Sequence, residues 1–325
     1  MAPLAGEVFG ANRGLDELER LRGGTKKGVY RLRADDGRSA ILYVWSEEEN
    51  FWPDSRQNSL HASGLDTFEA ARNRLEGLGV RVPRLYLASR ASEPRPYLSS
   101  RANGLRGADV AVVEDVRGGT LEARLQQDPA KAEPLLDRLA EGLRLMSRCR
   151  SPYTGEVLQV DAGAVAEEEC PETVMRWATK DLREAAGRVE RIAAEREAFE
   201  AALKELGAAV RPRTDYGLIH GELGPDHVLV DDRDEPVMID IDGAHYFDIE
   251  WEHVFLRIRF GEHYERLRVD GLDEARMRFY QLAQHLSLVA GPLRLLDGDF
   301  PDREFMTWIA ANHTEAALAF LRDFR

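Results

Sequence analysis

Two acidic residues, Glu222 and Asp240, stand beside short apolar runs in the most informative stretch of this sequence. Glu222 lies in a polar loop, HGELGPDH, which follows the apolar pair Leu218 and Ile219. Asp240 is set into a second apolar run, from residue 237 to 241. A carboxylate in apolar surroundings is costly unless it is paired, hydrogen-bonded or bound to a metal. The two acids would therefore suit a general base and a metal ligand that act near one phosphate.

The residues around these acids predict a small β-ribbon that would position them. Residues 228 to 230 are apolar and favour a strand, whereas residues 231 to 236 form a turn cluster that contains a proline. Residues 237 to 241 favour another strand. With a further strand before Glu222, the stretch from 216 to 242 is predicted as strand, loop, strand, turn and strand.

The polar residues of this stretch follow the spacing of a kinase catalytic loop. His220 and Glu222 are followed by His227 in the order of the pattern H-x-D-x-x-x-x-N, and Asp240 lies where kinases place a magnesium-binding aspartate. In these residues the chain resembles the aminoglycoside phosphotransferase and choline kinase family, whose fold is protein-kinase-like. That family reads H-G-D-L-x-x-x-N, then I-D-F or I-D-W, then G-D-x-x-x-D-L.

The resemblance covers roughly residues 210 to 256, and it is weaker in the rest of the chain. The last part of the family pattern corresponds to residues 247 to 252, FDIEWE. Two positions depart from the pattern, because Glu222 replaces aspartate and His227 replaces asparagine.

The resemblance implies a role for each residue of the motif. Asp240 would hold Mg²⁺, and Glu222 would accept the proton of the acceptor hydroxyl or orient that hydroxyl for attack. His220 and Asp248 would support the catalytic loop, Asp248 through hydrogen bonds to the loop backbone. His227 would be the second metal contact.

An imidazole is an unusual ligand for magnesium, which prefers oxygen. Asp226 or Asp242 would supply oxygen if His227 does not bind the metal. Manganese would tolerate the nitrogen of His227 better than magnesium does. The sequence leaves these alternatives open.

A glycine loop near the N-terminus, GGTKKG from residue 23 to 28, is predicted to bring backbone amides onto the nucleotide phosphates. Gly24, Lys26 and Lys27 are the candidate contacts. In the family a third strand carries a phosphate-binding lysine, but the corresponding run from 40 to 45 has none, and Tyr43 is close to the expected place. Lys26 or Lys27, or an arginine, would have to replace it, or phosphate contact there is weak.

The helix and the strand that follow complete the predicted N-terminal lobe. Residues 66 to 78 have apolar residues at helical spacing, and Glu69 is the candidate for the helix glutamate that pairs with the strand lysine in the family. Residues 108 to 113 predict a buried strand. The resemblance implies that this strand leads into a hinge, which we place at 114 to 120, and that backbone groups at Glu114 and Val116 hold the adenine.

The predicted fold class is α+β, with a bilobal, protein-kinase-like arrangement. A small β-rich nucleotide-binding lobe would span residues 1 to 113, with the hinge at 114 to 120. A larger, mainly helical catalytic and acceptor-binding lobe would span residues 121 to 325.

Composition restricts the partners of this 325-residue chain. Its formal net charge of −14 argues against nucleic acid and suits a cationic small molecule. No apolar run reaches the ~20 residues of a membrane-spanning helix, and the first residues lack the features of a secretory signal. We therefore expect a cytoplasmic protein, and we expect Cys149 and Cys170 to be free thiols.

These observations predict an ATP-dependent phosphotransferase that moves the γ-phosphate to a hydroxyl of a small molecule. The family suggests an antibiotic-like sugar, an aminoglycoside or a nucleoside as the acceptor, and hence a role in antibiotic resistance. The alternative is a nucleotide-binding pseudokinase without transfer activity, which the missing lysine and the two altered motif residues favour.

Overall fold

The computed structural model describes residues 2–10, 13–21, 23–52, 63–92, 107–164 and 168–325. The chain forms two compact units. Unit 1 consists of Met1–Arg138 and Asp226–Gly243, and unit 2 consists of Leu139–Pro225 and Ala244–Arg325.

An antiparallel sheet of five strands forms the centre of unit 1, in the order β1-β2-β3-β5-β4. Its strands are β1 (Leu15–Arg20), β2 (Gly28–Ala34), β3 (Ser39–Trp45), β4 (Leu85–Ser89) and β5 (Asp109–Glu114). The central strands β3 and β5 are buried along most of their length, as expected for apolar runs without polar alternation. Leu32, Leu42 and Val112 belong to the core on one face of the sheet.

In the described part of unit 1, four α-helices and a two-stranded ribbon accompany this sheet. The helices are α1 (Ala2–Phe9), α2 (Leu65–Gly77), α3 (Leu121–Gln127) and α4 (Pro129–Arg148), and α4 continues into unit 2. The ribbon consists of β9 (Val228–Val230) and β10 (Pro236–Met238), which pair antiparallel. Phe68 and Leu75, which define the apolar side of the predicted helix at 66 to 78, are buried on α2.

The segment predicted as the hinge, 114 to 120, lies inside unit 1, whose first part extends to Arg138. The physical reason is packing between α3 and the ribbon. Thr120 forms a β-bridge with Leu229, and a Cβ on Gly118 would lie 2.2 Å from the carbonyl oxygen of Val230. These contacts join the segment after β5 to residues 226–243, a long-range pairing that local sequence patterns do not encode.

Unit 2 is mainly helical. Its helices are α5 (Val157–Asp161), α6 (Cys170–Arg188), α7 (Glu190–Ala194), α8 (Arg196–Ala209), α9 (Ile249–Phe260), α10 (Tyr264–Leu267), α11 (Glu274–Leu295) and α12 (Arg303–Phe324). A small antiparallel sheet in the order β6-β8-β11-β7 is formed by β6 (Arg150–Ser151), β7 (Gly155–Glu156), β8 (Tyr216–Ile219) and β11 (His245–Phe247). Helix α11 packs against α6, α8, α9 and α12, so its buried face is the main apolar layer of this unit.

The prediction of an α+β protein with a sheet-rich N-terminal part and a helical C-terminal part is confirmed. Among the helices of the described ranges, none combines the length and the apolar character needed to span a bilayer.

Candidate active site

Asp240 has an unusual backbone conformation, with φ at +58°. Strand β10 ends at Met238, and residues 241 to 243 form a short 3-10 turn, so the predicted strand from 237 to 241 is wrong at its C-terminal end. A positive φ is uncommon for a residue other than glycine and is found disproportionately at functional sites. The side chain of Asp240 is 45% exposed, so its carboxylate is accessible to a ligand.

Lys27 is the buried partner of this carboxylate. Its Nζ lies 2.6 Å from Oδ1 of Asp240 and also donates a hydrogen bond to Oδ1 of Asp242. Burial by itself would lower the pKa of the Lys27 ammonium, but the charges of Asp240 and Asp242 outweigh it and raise that pKa. Lys27 is therefore a permanent cation in unit 1, next to the candidate metal ligand.

The glycine loop has the conformation that brings Lys27 to this position. Gly24 has φ +77°, and a Cβ there would lie 2.4 Å from the carbonyl oxygen of Lys27, so only glycine fits. The carbonyl of Thr25 accepts a hydrogen bond of 2.8 Å from the amide of Phe51. Lys26 is partly exposed, in contrast to the buried Lys27.

His227 and Asp240, the predicted metal residues, lie close together in unit 1. Nε2 of His227 is 3.9 Å from Oδ2 of Asp240 and 3.8 Å from Oδ2 of Asp226. The amide of Ile239 donates a 3.0 Å hydrogen bond to the carbonyl of His227, which fixes the two segments of the ribbon side by side. The described residues contain no group of three or more histidine, cysteine, aspartate or glutamate side chains arranged for a metal.

The hinge residues Glu114 and Val116 serve the structure of unit 1 in ways that the sequence did not predict. The Glu114 carboxylate pairs with Arg81 at 2.7 Å and with Arg84 at 3.1 Å, and its amide donates to the carbonyl of Arg84. Val116 is buried. An adenine contact from Glu114 would thus have to use its carbonyl, because its amide is already engaged.

The catalytic-loop residues belong to unit 2 up to Pro225. His220 is buried, and its Nδ1 accepts a 3.4 Å hydrogen bond from the amide of Glu222. Gly221 has φ +94°. This tight turn leaves Glu222 exposed between buried neighbours, so the side chain is accessible to an acceptor.

The carboxylate of Asp248 is bonded to side chains, whereas hydrogen bonds to the loop backbone were predicted; its role in supporting the loop stays a prediction. Asp248 is fully buried and accepts hydrogen bonds from Arg213, Arg276 and Tyr280, so it links α9 to α11 and to the segment before β8. The contact with the loop backbone belongs to Glu252, whose Oε2 accepts a 2.7 Å hydrogen bond from the amide of Gly221. Glu252 lies one helical turn after Asp248, which brings its carboxylate rather than that of Asp248 to the loop.

The profile of the phosphotransferase enzyme family matches residues 17–292, well over half of the chain. The chain belongs to this family. Membership confirms the sequence prediction of a small-molecule phosphotransferase. No curated protein sequence matches the chain.

Solved structures of phosphotransferases share the fold. A thermostable mutant of aminoglycoside phosphotransferase APH(4)-Ia is 15% identical, with a TM-score of 0.62 and coverage of 99% of both chains. Choline kinase LicA from Streptococcus pneumoniae is 14% identical, with a TM-score of 0.62 and coverage of 99% of this chain and 98% of its own. The GDP complex of aminoglycoside 2'-phosphotransferase-IIIa is 17% identical, with a TM-score of 0.58 and coverage of 93% and 94%. The kinase-like fold predicted from the sequence is thereby confirmed.

Sequence reasoning about this phosphotransferase did not identify the support around Asp242. Its carboxylate is buried and accepts a 2.7 Å hydrogen bond from Oγ of Ser63, which in turn accepts one of 3.0 Å from Nε1 of Trp45. The signal was a second aspartate directly after the apolar run, because a carboxylate beside apolar residues also requires a partner. The partners themselves are distant in sequence, so only folding reveals them.

Proposed function

We propose that this phosphotransferase transfers the γ-phosphate of ATP or a related nucleotide to a hydroxyl group of a small, cationic, antibiotic-like acceptor. In this proposal Asp240 holds the metal, Glu222 acts on the acceptor hydroxyl, and the glycine loop with Lys27 contacts the phosphates. An ATP-dependent reaction also fits the cytoplasm expected from the sequence.

The observation that carries the proposal is the pairing of Lys27 with Asp240. A kinase-like site needs a lysine near the metal-binding aspartate, and its absence from β3 was the main argument for a pseudokinase. The 2.6 Å contact between Nζ of Lys27 and Asp240 provides such a cation from the glycine loop that precedes β2. The exposed Asp240 carboxylate in its strained conformation supports a role in binding rather than in packing.

The residues present suit a magnesium–nucleotide complex. Magnesium is usually held by one or two carboxylates together with substrate phosphates, so a single accessible aspartate is sufficient on the protein side. Asp240 would provide the carboxylate, with His227 or Asp226 as the second contact. The bound metal and nucleotide would supply the phosphoryl group and neutralise its charge.

Glu222 would position the acceptor. An exposed carboxylate on a loop held by His220 and Glu252 can accept a hydrogen bond from a hydroxyl and receive its proton. In phosphoryl transfer, positioning of the reacting groups matters more than covalent chemistry. The loop that carries Glu222 must therefore be rigid.

Two observations support the proposed class of acceptor: the net charge of the chain and the ligands bound by structurally similar proteins. The net charge of −14 favours a cationic acceptor. A ternary complex of aminoglycoside phosphotransferase APH(4)-Ia holds AMP-PNP and hygromycin B. By analogy we propose an aminoglycoside or a similar amino sugar, which links the chain to antibiotic resistance.

The test is a transfer assay with ATP and GTP against a panel of aminoglycosides, other hydroxylated antibiotics, choline and nucleosides. We expect phosphate on one acceptor class with the wild-type protein, and none with Asp240→Ala, whose fold is checked by thermal unfolding. Full activity of Asp240→Ala would contradict the metal assignment. Nucleotide binding without transfer to any acceptor would identify a pseudokinase instead.

A further inference from the structure

We infer that Lys27 and Asp242 together replace the lysine–glutamate pair that the family places on the third strand and the following helix. The inference rests on the proposed function, because it assigns both residues to the binding of nucleotide phosphates. In it, Lys27 contacts the phosphates, and Asp242 is the counter-ion that positions Lys27.

The first observation concerns the position of the lysine. Val29 of β2 pairs with Tyr43 of β3, so Lys27 lies close in register to the place where the family lysine is expected. Nζ of Lys27 lies 5.3 Å from the centre of the Tyr43 ring, within the range of a cation–π interaction. The ammonium group belongs to the residue just before β2, and it lies beside Tyr43, which is close to the expected lysine position on β3.

The second observation concerns the helix glutamate. Glu69 on α2 is paired with Arg90, at 2.8 Å between Nη2 and Oε2. Arg90 also pairs with Asp66, at 2.6 Å, so both acids at the start of α2 share one arginine. The carboxylates paired with Lys27 are those of Asp240 and Asp242. Glu69, the candidate for the helix glutamate of the family, is therefore paired with Arg90 and not with Lys27.

The two carboxylates around Lys27 differ in exposure, which separates their roles. The side chain of Asp240 is 45% exposed, whereas that of Asp242 is only 5% exposed. A metal ion would therefore reach Asp240 more readily than Asp242. The side chain of Lys27 is only 6% exposed, so a phosphate would reach its ammonium on the side that Asp240 leaves when the metal binds. Since a buried ammonium requires a partner, Asp242 would keep Lys27 paired when Asp240 is engaged by the metal.

Asp242 is itself held in place by β3. Oγ of Ser63 donates to Oδ2 of Asp242, and Nε1 of Trp45 donates to Oγ of Ser63. Trp45 lies two residues after Tyr43 on the same strand, so their side chains leave the same face of the sheet. Strand β3, which carries no lysine, thus supports Asp242, the counter-ion of Lys27. Helix α2 also packs against the turn that contains Asp242.

The first part of the test moves the lysine back to the strand. We expect Lys27→Met to reduce turnover on the order of 10²–10³-fold, the loss that is typical when one preorganised donor that stabilises transition-state charge is removed. Tyr43→Lys in the Lys27→Met background should restore at least a tenth of wild-type turnover, which recovers about one to two orders of magnitude of that loss. Failure of Tyr43→Lys to rescue a folded double variant would overturn the assignment of Lys27.

The second part compares the two acids. Asp242→Asn should raise the Kd for magnesium–ATP and lower turnover, whereas Glu69→Gln should resemble the wild type in both. Equal damage from both substitutions, or damage from Glu69→Gln alone, would overturn the role of Asp242. Because Lys27→Met leaves the buried Asp242 unpaired, thermal unfolding of each variant is measured, and Lys27→Met/Asp242→Asn removes both charges if the single variant does not fold.

The readouts separate this inference from the proposed function. If the wild type binds magnesium–ATP without transferring phosphate, the transferase proposal fails. The Kd values of the Lys27, Asp242 and Glu69 variants for magnesium–ATP still test the pair of Lys27 and Asp242. If the wild type transfers phosphate and the Lys27 variants match it in Kd and turnover, only the present inference fails. If the wild type binds no nucleotide, both are overturned.

Discussion

At the scale of single residues, Glu222 differs from its family counterpart by one methylene group. The carboxylate is exposed on a loop whose neighbours are buried, so the extra reach is directed away from the core. A longer side chain keeps the chemistry of the carboxylate but changes the distance at which it meets a hydroxyl. In the proposed mechanism, the carboxylate at position 222 is therefore more important for turnover than the length of the side chain that carries it.

Substitution of Glu222 tests this distinction. Glu222→Gln should lower turnover by roughly 10²–10⁴-fold, the usual contribution of a general base, while the Kd for ATP changes little. Glu222→Asp should retain more activity than Glu222→Gln, because it keeps the charge and restores the family residue. Steady-state transfer and nucleotide titration are measured on the same preparations. Unchanged turnover in Glu222→Gln would remove Glu222 from the mechanism.

Whether His227 binds the metal is a separate question. Its Nε2 lies 3.9 Å from Oδ2 of Asp240, which is beyond hydrogen-bond distance. If it is the second metal contact, His227→Asn should keep substantial activity, and His227→Leu should lose it. Replacing magnesium by manganese should favour the wild type over His227→Asn, since manganese accepts nitrogen ligands more readily. Equal activity of the two variants in both metals would show that His227 is not the second metal contact and that the more exposed Asp226 serves instead.

At the scale of secondary-structure elements, two turns must hold their shape for the residues above to act. The glycine loop presents Lys27, and helix α9 holds the catalytic loop through Glu252. Each turn contains a glycine with positive φ, Gly24 and Gly221 respectively.

Gly24 and its neighbour Gly23 offer a matched comparison in the glycine loop. Both have positive φ, but a Cβ on Gly24 would meet the carbonyl of Lys27 at 2.4 Å, whereas one on Gly23 would meet nothing within 4 Å. Gly24→Ala should therefore weaken nucleotide binding and lower the unfolding temperature more than Gly23→Ala. Isothermal titration and thermal unfolding check this, and equal effects would show that the clash is relieved by loop movement.

Helix α9 should control the catalytic loop through one hydrogen bond. Glu252→Ala leaves the amide of Gly221 without its acceptor, at a cost of about 1–3 kcal/mol for a buried donor. We expect faster hydrogen exchange of the Gly221 amide and lower turnover, with an unchanged Kd for ATP. Glu252→Gln keeps an acceptor oxygen and should have a smaller effect. Unaltered exchange at Gly221 in Glu252→Ala would contradict the role of this bond.

At the scale of the whole molecule, buried histidines make stability depend on pH. The pKa values of His253, His285 and His313 are lowered to about 4, first because burial disfavours the charged ring. Nδ1 of His285 and Nδ1 of His313 lie 3.0 Å apart between α11 and α12, and such a contact requires a neutral ring as the acceptor.

The direction of the pH effect follows from these values. The unfolded histidines, with pKa near 6.5, bind more protons than the folded ones between pH 6.5 and 4. The full stability is therefore present above pH 6.5 and is lost as the pH falls towards 4, by roughly 1–3 kcal/mol for each histidine. Urea unfolding at several pH values measures this. His285→Gln/His313→Gln should have a shallower slope, and an unchanged slope would contradict the assignment.

The sequence by itself determined the fold class and the family, and it predicted the candidate catalytic motif. These depend on local spacing, such as the distance from His220 to Asp240, and on the apolar periodicity of helices such as α2. Both properties are set by residues that are neighbours in the chain. Glu222, His227 and Asp240 are therefore candidates on the strength of their spacing alone, and their roles remain predictions.

Only the tertiary structure decided how the candidates are paired. Lys27 meets Asp240 and Asp242 across more than two hundred residues of sequence, and Ser63 meets Asp242 across a similar distance. The sequence left Lys26 and Lys27 equivalent, and burial distinguishes them. It assigned the loop contact to Asp248, but the helical rise places Glu252 there. Such contacts depend on how strands and helices pack, which the spacing of residues along the chain does not specify.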